Sequence, residues 1–315
     1  MNGRNRHMQY RRSVYRRRRI KLILIVLGAV LVIGLALFLI VGNLLHDRSE
    51  ADRAEETDRQ ATTVAPGTER TPIGDIQAYP VAAQTTDSTT LRDRLIRLIE
   101  AEGSAASIAL NQPGGTLLYQ SSVAGSLGVA SEYTITAEGI GTTARELGIH
   151  VSGVYHLTSF ASEDALLRSV SLAREAAILA EAAQGGIDDL VLLAPDLSPN
   201  QIDELLHLVE DIRRLAPDAV IGLSLPSAVL EADNAAALID RLYERLDFLA
   251  LDATHYGEAA PAEHVEATIT DSGMLYYLLR YHMRVLLPAV DDTDSQNAMI
   301  HAVQKNGLNN WQILS

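Results

Sequence analysis

Hydrophobic and polar positions along residues 75–315 form short blocks that switch between two periods. Eight runs of β-favouring apolar residues alternate, for the most part, with amphipathic segments of helical spacing. The predicted strands are residues 76–82, 106–110, 149–155, 189–193, 219–225, 248–253, 285–290 and 310–314. The predicted helices are residues 89–102, 162–184, 198–215, 234–246, 271–283 and 294–306. Eight strands within about 240 residues predict an α/β fold, a (β/α)8 TIM-like barrel.

Two local features refine this prediction. The second strand continues through a Pro113-Gly114-Gly115 turn into residues 116–120, a pattern typical of a hairpin. An open doubly wound sheet is the competing fold, and it often carries a glycine-rich phosphate turn after its first strand. The sequence has neither a G-x-G-x-x-G after a strand nor a Walker motif, and this absence favours the barrel.

The amino-terminal part of the chain has a different pattern. Residues 22–45 contain no charged side chain, and this segment is long enough for one helix to cross a hydrocarbon core of about 30 Å. Residues 1–21 contain nine basic side chains and no acid. Basic residues stay on the cytoplasmic side, so the sequence predicts a cytoplasmic tail, a single transmembrane helix and an extracytoplasmic remainder. A cleaved signal peptide would have a shorter apolar core and a small-residue cleavage site.

Residues 46–74 are charged and then rich in Thr and Pro, with almost no large apolar side chains. Such a segment cannot offset the entropy lost on ordering, so a flexible linker is expected before the barrel at residues 75–315. The chain contains no cysteine, which excludes disulfides and thiolate metal sites. The predicted localisation is therefore the cell membrane, with a cysteine-free domain held outside.

Charge narrows the range of partners. Outside the basic tail the chain has 17 Lys and Arg against 40 Asp and Glu. So acidic a domain does not attract polyanions, and no nucleic-acid partner is predicted. The expected partners are the membrane, through residues 22–45, and a cell-wall polysaccharide or an envelope protein. No cofactor is predicted.

Candidate chemistry lies where the predicted strands end, because barrel sites form at the carboxyl ends of the strands. Glycoside cleavage needs two carboxyl groups, one acting as acid and one as nucleophile or base. The candidate catalytic residues are Asp252, Asp291 and Asp196. The candidate substrate-binding residues are Asn111, His156, His255 and Tyr256.

Each candidate also has a structural interpretation. Asp196, Asp291 and the neighbouring Asp292 stand in contexts typical of loops and helix N-caps. Asp252 ends an apolar strand and is the strongest functional candidate. His156, His255 and Asp252 lack metal-ligand spacing, and no metal site is predicted. A set of tyrosines near the carboxyl terminus fits either a sugar-stacking patch or the core and helix surface; these are Tyr276, Tyr277 and Tyr281.

The order of strands and loops resembles a bacterial family of candidate glycoside hydrolases that form a membrane- or wall-attached TIM barrel. The family's second strand, Ile-Asp-Val-Lys-Asp-x-x-Gly followed by a Tyr, is similar to residues 108–119. Its Gly-Ile-Tyr-x-Ile-Ala-Arg strand resembles residues 148–154, and its Asp-Tyr-Ile-x-Pro-Met…His-Tyr strand resembles residues 247–256. The resemblance implies a barrel that acts on polysaccharide.

The departures from this family bear on activity. The acidic and basic residues of the family's second strand are replaced by Ala109, Asn111 and Gln112. Residues 191–197 lack the family's central carboxylate and Arg. Two hypotheses follow. The favoured one is a catalytically degenerate barrel that binds glycan or an envelope partner, and the alternative is an active glycoside hydrolase that uses two carboxylates.

Overall fold

The computed structural model describes residues 74–81, 87–126, 133–254, 261–271 and 273–314. These residues contain eight strands, all at or within two residues of the predicted positions. The strands are β1 (Gln77–Pro80), β2 (Ala105–Ala109), β3 (His150–His156), β4 (Asp189–Leu193), β5 (Ile221–Leu225), β6 (Phe248–Asp252), β7 (Arg284–Pro288) and β8 (Trp311–Leu314).

The eight strands form one closed parallel barrel in chain order. Each strand pairs with the next, and β8 returns to pair with β1, where Gln77 lies opposite Trp311 and Ala78 opposite Gln312. All strands are parallel, so their carboxyl ends meet at one end of the barrel. The predicted barrel is confirmed.

Ten α-helices and two 3-10 turns, at Ser159–Ala161 and Pro199–Gln201, connect the strands within the described residues. The helices are α1 (Ser88–Glu100), α2 (Ser122–Ser126), α3 (Ala137–Leu147), α4 (Ala165–Gln184), α5 (Ile202–Leu215), α6 (Ser227–Leu230), α7 (Ala235–Arg245), α8 (Pro261–Thr270), α9 (Met274–Arg280) and α10 (Thr293–Gln304).

The sequence pattern missed four helices, the short α2 and α6 and the longer α3 and α8. Helix α3 contains Gly139 and Gly141, which lower helix propensity and hide the period. A Cβ at Gly141 would lie 2.2 Å from the backbone oxygen of Gly185, so the glycine allows α3 to pack directly on the turn after α4. A tertiary contact therefore explains a residue that local propensity disfavours.

Two packed layers form the core. Between the strands and the helices lies a continuous apolar layer that includes Leu91, Leu179, Ile212, Leu242 and Val303. A second, smaller cluster fills the inside of the barrel. Burial in both layers, rather than disulfides, holds the fold, because the chain has no cysteine.

The predicted hairpin after β2 forms as a short antiparallel bridge between Asn111 and Leu117. Gln112 N–H donates to the Thr116 carbonyl at 2.9 Å, and Gly115 adopts the left-handed φ of 84° that the turn requires.

Among the described residues, no helix is both long and apolar enough to cross a membrane. The predicted transmembrane helix at 22–45, the basic tail and nearly all of the linker lie outside the described residues.

Candidate functional site

The inward positions of the barrel are identified by a cluster that joins distant strands. Val154 of β3, Val191 of β4, Ala250 of β6 and Leu286 of β7 pack together, which is possible only inside the closed sheet. Side chains alternate along each strand, so residues two positions from these also point inward. Parallel register extends the assignment to neighbouring strands, since Ala109 lies opposite Val154.

The last inward residue of each strand forms what we call the mouth ring. Its members are Pro80, Ala109, His156, Leu193, Ser224, Asp252, Pro288 and Leu314. The three polar members stand on β3, β5 and β6. The members on β1, β2, β4, β7 and β8 are all apolar, and Leu193 of β4 stands between the polar members of β3 and β5. The mouth ring therefore has a polar side and an apolar side.

Asp252 is the carboxylate of the mouth ring. It is half-buried, and its Oδ1 accepts hydrogen bonds from Thr254 N–H at 2.8 Å and Thr254 Oγ1 at 2.6 Å. These bonds fix the side chain at the end of β6. An acceptor-only carboxylate held in this way can receive hydrogen bonds from ligand hydroxyl groups.

His156 belongs to the same charged environment. Burial lowers the pKa of its imidazole, and the negative charge of Asp252 partly opposes that effect. Because the pKa falls below its usual value of about 6.5, the ring is mainly neutral at pH 7 and offers one donor and one acceptor. Two of the predicted site residues therefore stand at the same end of the barrel, on β3 and β6.

Asn111 has a structural position rather than an exposed one. Its side chain is buried and clamps the end of β3, since Nδ2 donates to the His156 carbonyl at 2.9 Å and Oδ1 accepts from His156 N–H at 2.7 Å. The amide uses both of its polar atoms on the backbone of His156. Asn111 therefore orients the imidazole-bearing residue.

The other predicted acids lie farther from the ring. Asp196 is exposed in the turn after β4, and Asp291 is exposed after β7. Asp292 caps α10, accepting from Ser295 N–H at 2.9 Å, which agrees with the N-cap interpretation. His255 and Tyr256 lie outside the described residues.

A buried carboxylate that the sequence pattern did not single out supports the loop after β3. Glu175 of α4 is buried and accepts from Thr158 N–H at 2.8 Å, Thr158 Oγ1 at 3.0 Å and Ser159 Oγ at 2.5 Å. Burial raises its pKa, and these hydrogen bonds oppose the rise. The only sequence signal was an acid beside alanines in an otherwise apolar helix face. Glu175 therefore holds the loop that contains Thr158, two residues after His156.

A second polar cluster was also missed, and it lies at the opposite end of the barrel interior. Arg284 and Asp189, the first residues of β7 and β4, form a buried two-pronged ion pair with Nη–Oδ distances of 3.0 Å. Ser152, Gln312 and His150 complete the hydrogen bonds around it. At both positions the sequence has a charged residue at the start of an apolar strand, and this was the signal that could have located the pair.

The surroundings of this pair stabilise the charged form of Asp189. Burial alone would raise the pKa of Asp189, but the Arg284 charge and the hydrogen bonds from His150 and Arg284 lower it well below its usual range. The Arg284 guanidinium also stacks 4.1 Å from the Phe248 ring centroid. In barrels the amino-terminal end serves stability and the carboxyl-terminal end serves chemistry. We therefore assign this cluster to the fold.

Comparison with known proteins identifies the fold. No family model matches the sequence, and no curated protein does so either. A candidate α-L-fucosidase of Bacteroides thetaiotaomicron superposes with a TM-score of 0.53 at 9% identity, over 81% of this chain and 91% of that one. This similarity shows a shared barrel fold.

Two further structures align less closely. A bacterial fucosidase has a TM-score of 0.46 at 12% identity, over 74% of this chain, and the chain spans only 55% of that protein. A spore cortex-lytic enzyme of Bacillus megaterium has a TM-score of 0.47 at 10% identity, over 80% of this chain and 72% of that one. Neither adds to the fold assignment.

Proposed function

We propose that the barrel binds carbohydrate at its mouth ring without cleaving it. The observation that carries the proposal is the make-up of that ring: Asp252 is its one carboxylate among the described residues, and the other polar members are His156 and Ser224. The opposite side is apolar, with Pro288 and Leu314. A sugar ring has an apolar C–H face and hydroxyl edges, so a two-sided mouth suits it.

The polar side matches the hydrogen-bonding needs of a glycan. Asp252 offers a charged acceptor and a neutral His156 offers one donor and one acceptor, and both are half-buried, whereas Ser224 is buried. Charge-assisted hydrogen bonds to sugar hydroxyls supply both affinity and orientation. The candidate α-L-fucosidase that shares this barrel is named for a sugar substrate, which supports the same ligand class here.

Hydrolysis is the alternative function, and it needs a second carboxyl group about 5–10 Å from the first. Asp196 and Asp291 follow β4 and β7 and are the nearest candidates along the chain, but both are exposed loop residues. A half-buried carboxylate alone can bind a sugar, whereas it cannot provide both the acid and the base. This difference favours binding over cleavage.

We also propose where the barrel works. The uncharged segment 22–45 and the basic residues before it support a single-pass anchor with the barrel outside the cell. The described chain reaches β1 at the amino-terminal end of the barrel, the end away from the mouth ring. The partner expected at the mouth is thus a wall or capsule polysaccharide, or a glycan-bearing envelope protein.

The test uses the full chain in mild detergent with purified wall polysaccharides and size-fractionated peptidoglycan fragments. Binding is measured by titration calorimetry for the wild type, Asp252→Asn and Asp291→Asn. We expect Asp252→Asn to weaken binding about tenfold or more, because it removes a charged acceptor. Asp291→Asn removes the same charge at an exposed position and should bind like the wild type. Equal binding by all three proteins, or no binding to any glycan, would overturn the proposal.

A further inference from the structure

The outward face of α4 carries an apolar stripe that nothing in the described structure covers. Leu166, Leu167 and Val170 are 73%, 61% and 64% exposed, the most exposed large apolar side chains in the described residues. Isolated exposed apolar residues are ordinary on a protein surface, but a contiguous group marks an interaction site. Three on two adjoining helical turns form such a group.

The stripe continues along the helix with small residues. Ala173 and Ala177 follow Leu166 and Val170 at alternating spacings of four, three and four residues, which keeps all four on one face. Ala173 is exposed, and Ala177 is half-exposed. The alanines extend the apolar face along the helix beyond its bulky residues.

The stripe is fixed in place from beneath. Arg168, on the opposite side of the helix, is buried, and its guanidinium makes a two-pronged ion pair with Glu204 of α5 at 2.5 and 2.9 Å. Arg168 Nη1 also donates to the Ser162 carbonyl at 2.7 Å. Asp164 caps the helix through Leu166 N–H and Leu167 N–H. The apolar side chains are therefore held outward by a rigid helix.

Opposite charges stand at the two ends of the stripe. Glu163 precedes the cap and Arg174 lies eleven residues later, on the same face as Val170 by helical spacing of about 100° per residue. Both are exposed, and neither makes a hydrogen bond or ion pair through its side chain within the described residues. Their midpoint falls between Arg168 and Ser169. An antiparallel copy of the helix about that midpoint would place Glu163 beside the partner's Arg174, and Leu167 beside the partner's Val170.

We propose that two copies of this chain associate through an antiparallel pairing of their α4 helices. The surface is self-complementary, as a two-fold interface requires, because one helix supplies both the apolar stripe and both charges. A second copy therefore satisfies the apolar and the charged groups together. An uncharged lipid surface would satisfy only the apolar ones.

The chain contains no cysteine, so single introduced cysteines report the contact directly. Equal amounts of full-length Leu167→Cys and Val170→Cys chains are mixed in detergent and oxidised, and mixed disulfides are quantified by mass spectrometry. Random pairing gives twice as much of the mixed pair as of either self-pair; we expect the mixed pair well above that ratio, because a disulfide needs Cα atoms about 4.4–6.8 Å apart. In the matched control mixture, Leu279→Cys, exposed on α9, replaces Leu167→Cys and should give no such excess. Random pairing in both samples would overturn the proposal.

Solution mass gives an independent readout. The wild-type chain should have the mass of two copies by light scattering, and Leu166→Glu/Val170→Glu the mass of one, with an unchanged circular dichroism spectrum. Leu279→Glu should stay paired. Arg174→Glu should weaken pairing about fivefold or less, as exposed ion pairs do, and adding Glu163→Arg should restore it. A single-copy wild type, or a pair that survives Leu166→Glu/Val170→Glu, would contradict the pairing.

Discussion

At the amino-terminal end of the barrel interior, Arg284 and Asp189 form a fully buried ion pair, whereas at the carboxyl-terminal end Asp252 is half-buried and hydrogen-bonded to its own loop. The first end satisfies its charges with Ser152, Gln312 and other protein groups. The second keeps a carboxylate, an imidazole and a hydroxyl beside an apolar surface. Both ends contain charged groups, so the number of charged groups does not by itself locate a functional site. What distinguishes the mouth is that Asp252 and His156 are only half-buried, whereas Arg284 and Asp189 are fully buried.

The largest expected effect breaks the ion pair. Arg284→Met leaves the Asp189 carboxylate buried without its cation, and removal of one partner of a buried pair costs about 3–5 kcal/mol. We expect that loss in the free energy of unfolding from urea titration. Asp252→Asn at the mouth should change it by only about 0.5 kcal/mol.

The matched control for this prediction is Arg284→Met/Asp189→Leu. Replacement of both charges by apolar groups removes the unpaired carboxylate, so the double variant should recover much of the lost stability. If Arg284→Met destabilised the chain no more than Asp252→Asn, the two ends of the barrel would not differ as described.

A second prediction concerns the packing under Arg284. A Cβ at Gly222 would lie 2.2 Å from the Phe248 ring, on which the guanidinium stacks. Gly222→Ala should therefore displace that ring and cost about 1–3 kcal/mol, as overpacking does. Gly114→Ala, where an added Cβ meets nothing within 4 Å, is the control and should be close to neutral. Equal thermal denaturation midpoints for the two variants would refute this account of the packing.

The strands and the buried ion pair show which features of the structure the sequence can predict. The alternating apolar runs predict every strand and the closed barrel, because buried parallel strands leave a strong local pattern. The ion pair escapes such reasoning, since Asp189 and Arg284 are 95 residues apart and meet only when the sheet closes. The two-residue period that places 250 and 252 on one face is local, so Asp252 could be proposed from sequence.

The remaining site residues show the same division. Asn111 was correctly placed beyond a strand end, but its bonds to the backbone of His156 depend on the register of β2 and β3. Glu175 contacts a loop sixteen residues earlier, and nothing in its local pattern names that partner. Helix α3 was missed because Gly141 serves packing against Gly185 rather than local propensity.

The third prediction separates the two ends by pH. A carboxylate whose pKa is lowered on folding stabilises the protein above its unfolded pKa and loses that contribution as pH falls. Asp189 should thus contribute fully above about pH 4 and progressively less below it. In urea titrations, Arg284→Met/Asp189→Leu should lose less stability than the wild type between about pH 4 and pH 2. Parallel losses in the two proteins would exclude this role for Asp189.

At the mouth end of the barrel, His156 should cause a second, smaller dependence of stability on pH. Because folding lowers its pKa, the unfolded chain takes up a proton first, and stability falls as pH drops below about 6.5. His156→Gln should lose this step, so its urea midpoint should vary less than that of the wild type between pH 7 and about pH 5.5. The same pH dependence in both proteins would rule out a buried, neutral imidazole at the mouth.

The most direct test of carbohydrate binding without cleavage combines both readouts in one sample. The full chain is incubated with the glycan fragment that it retains most tightly, in water enriched in oxygen-18, and the fragment is then weighed by mass spectrometry. We predict that the fragment is bound by the wild type, is bound more weakly by Asp252→Asn, and returns at its original length. Shortened fragments that carry one oxygen-18 at a new reducing end, and that disappear in Asp252→Asn, would contradict this and establish hydrolysis.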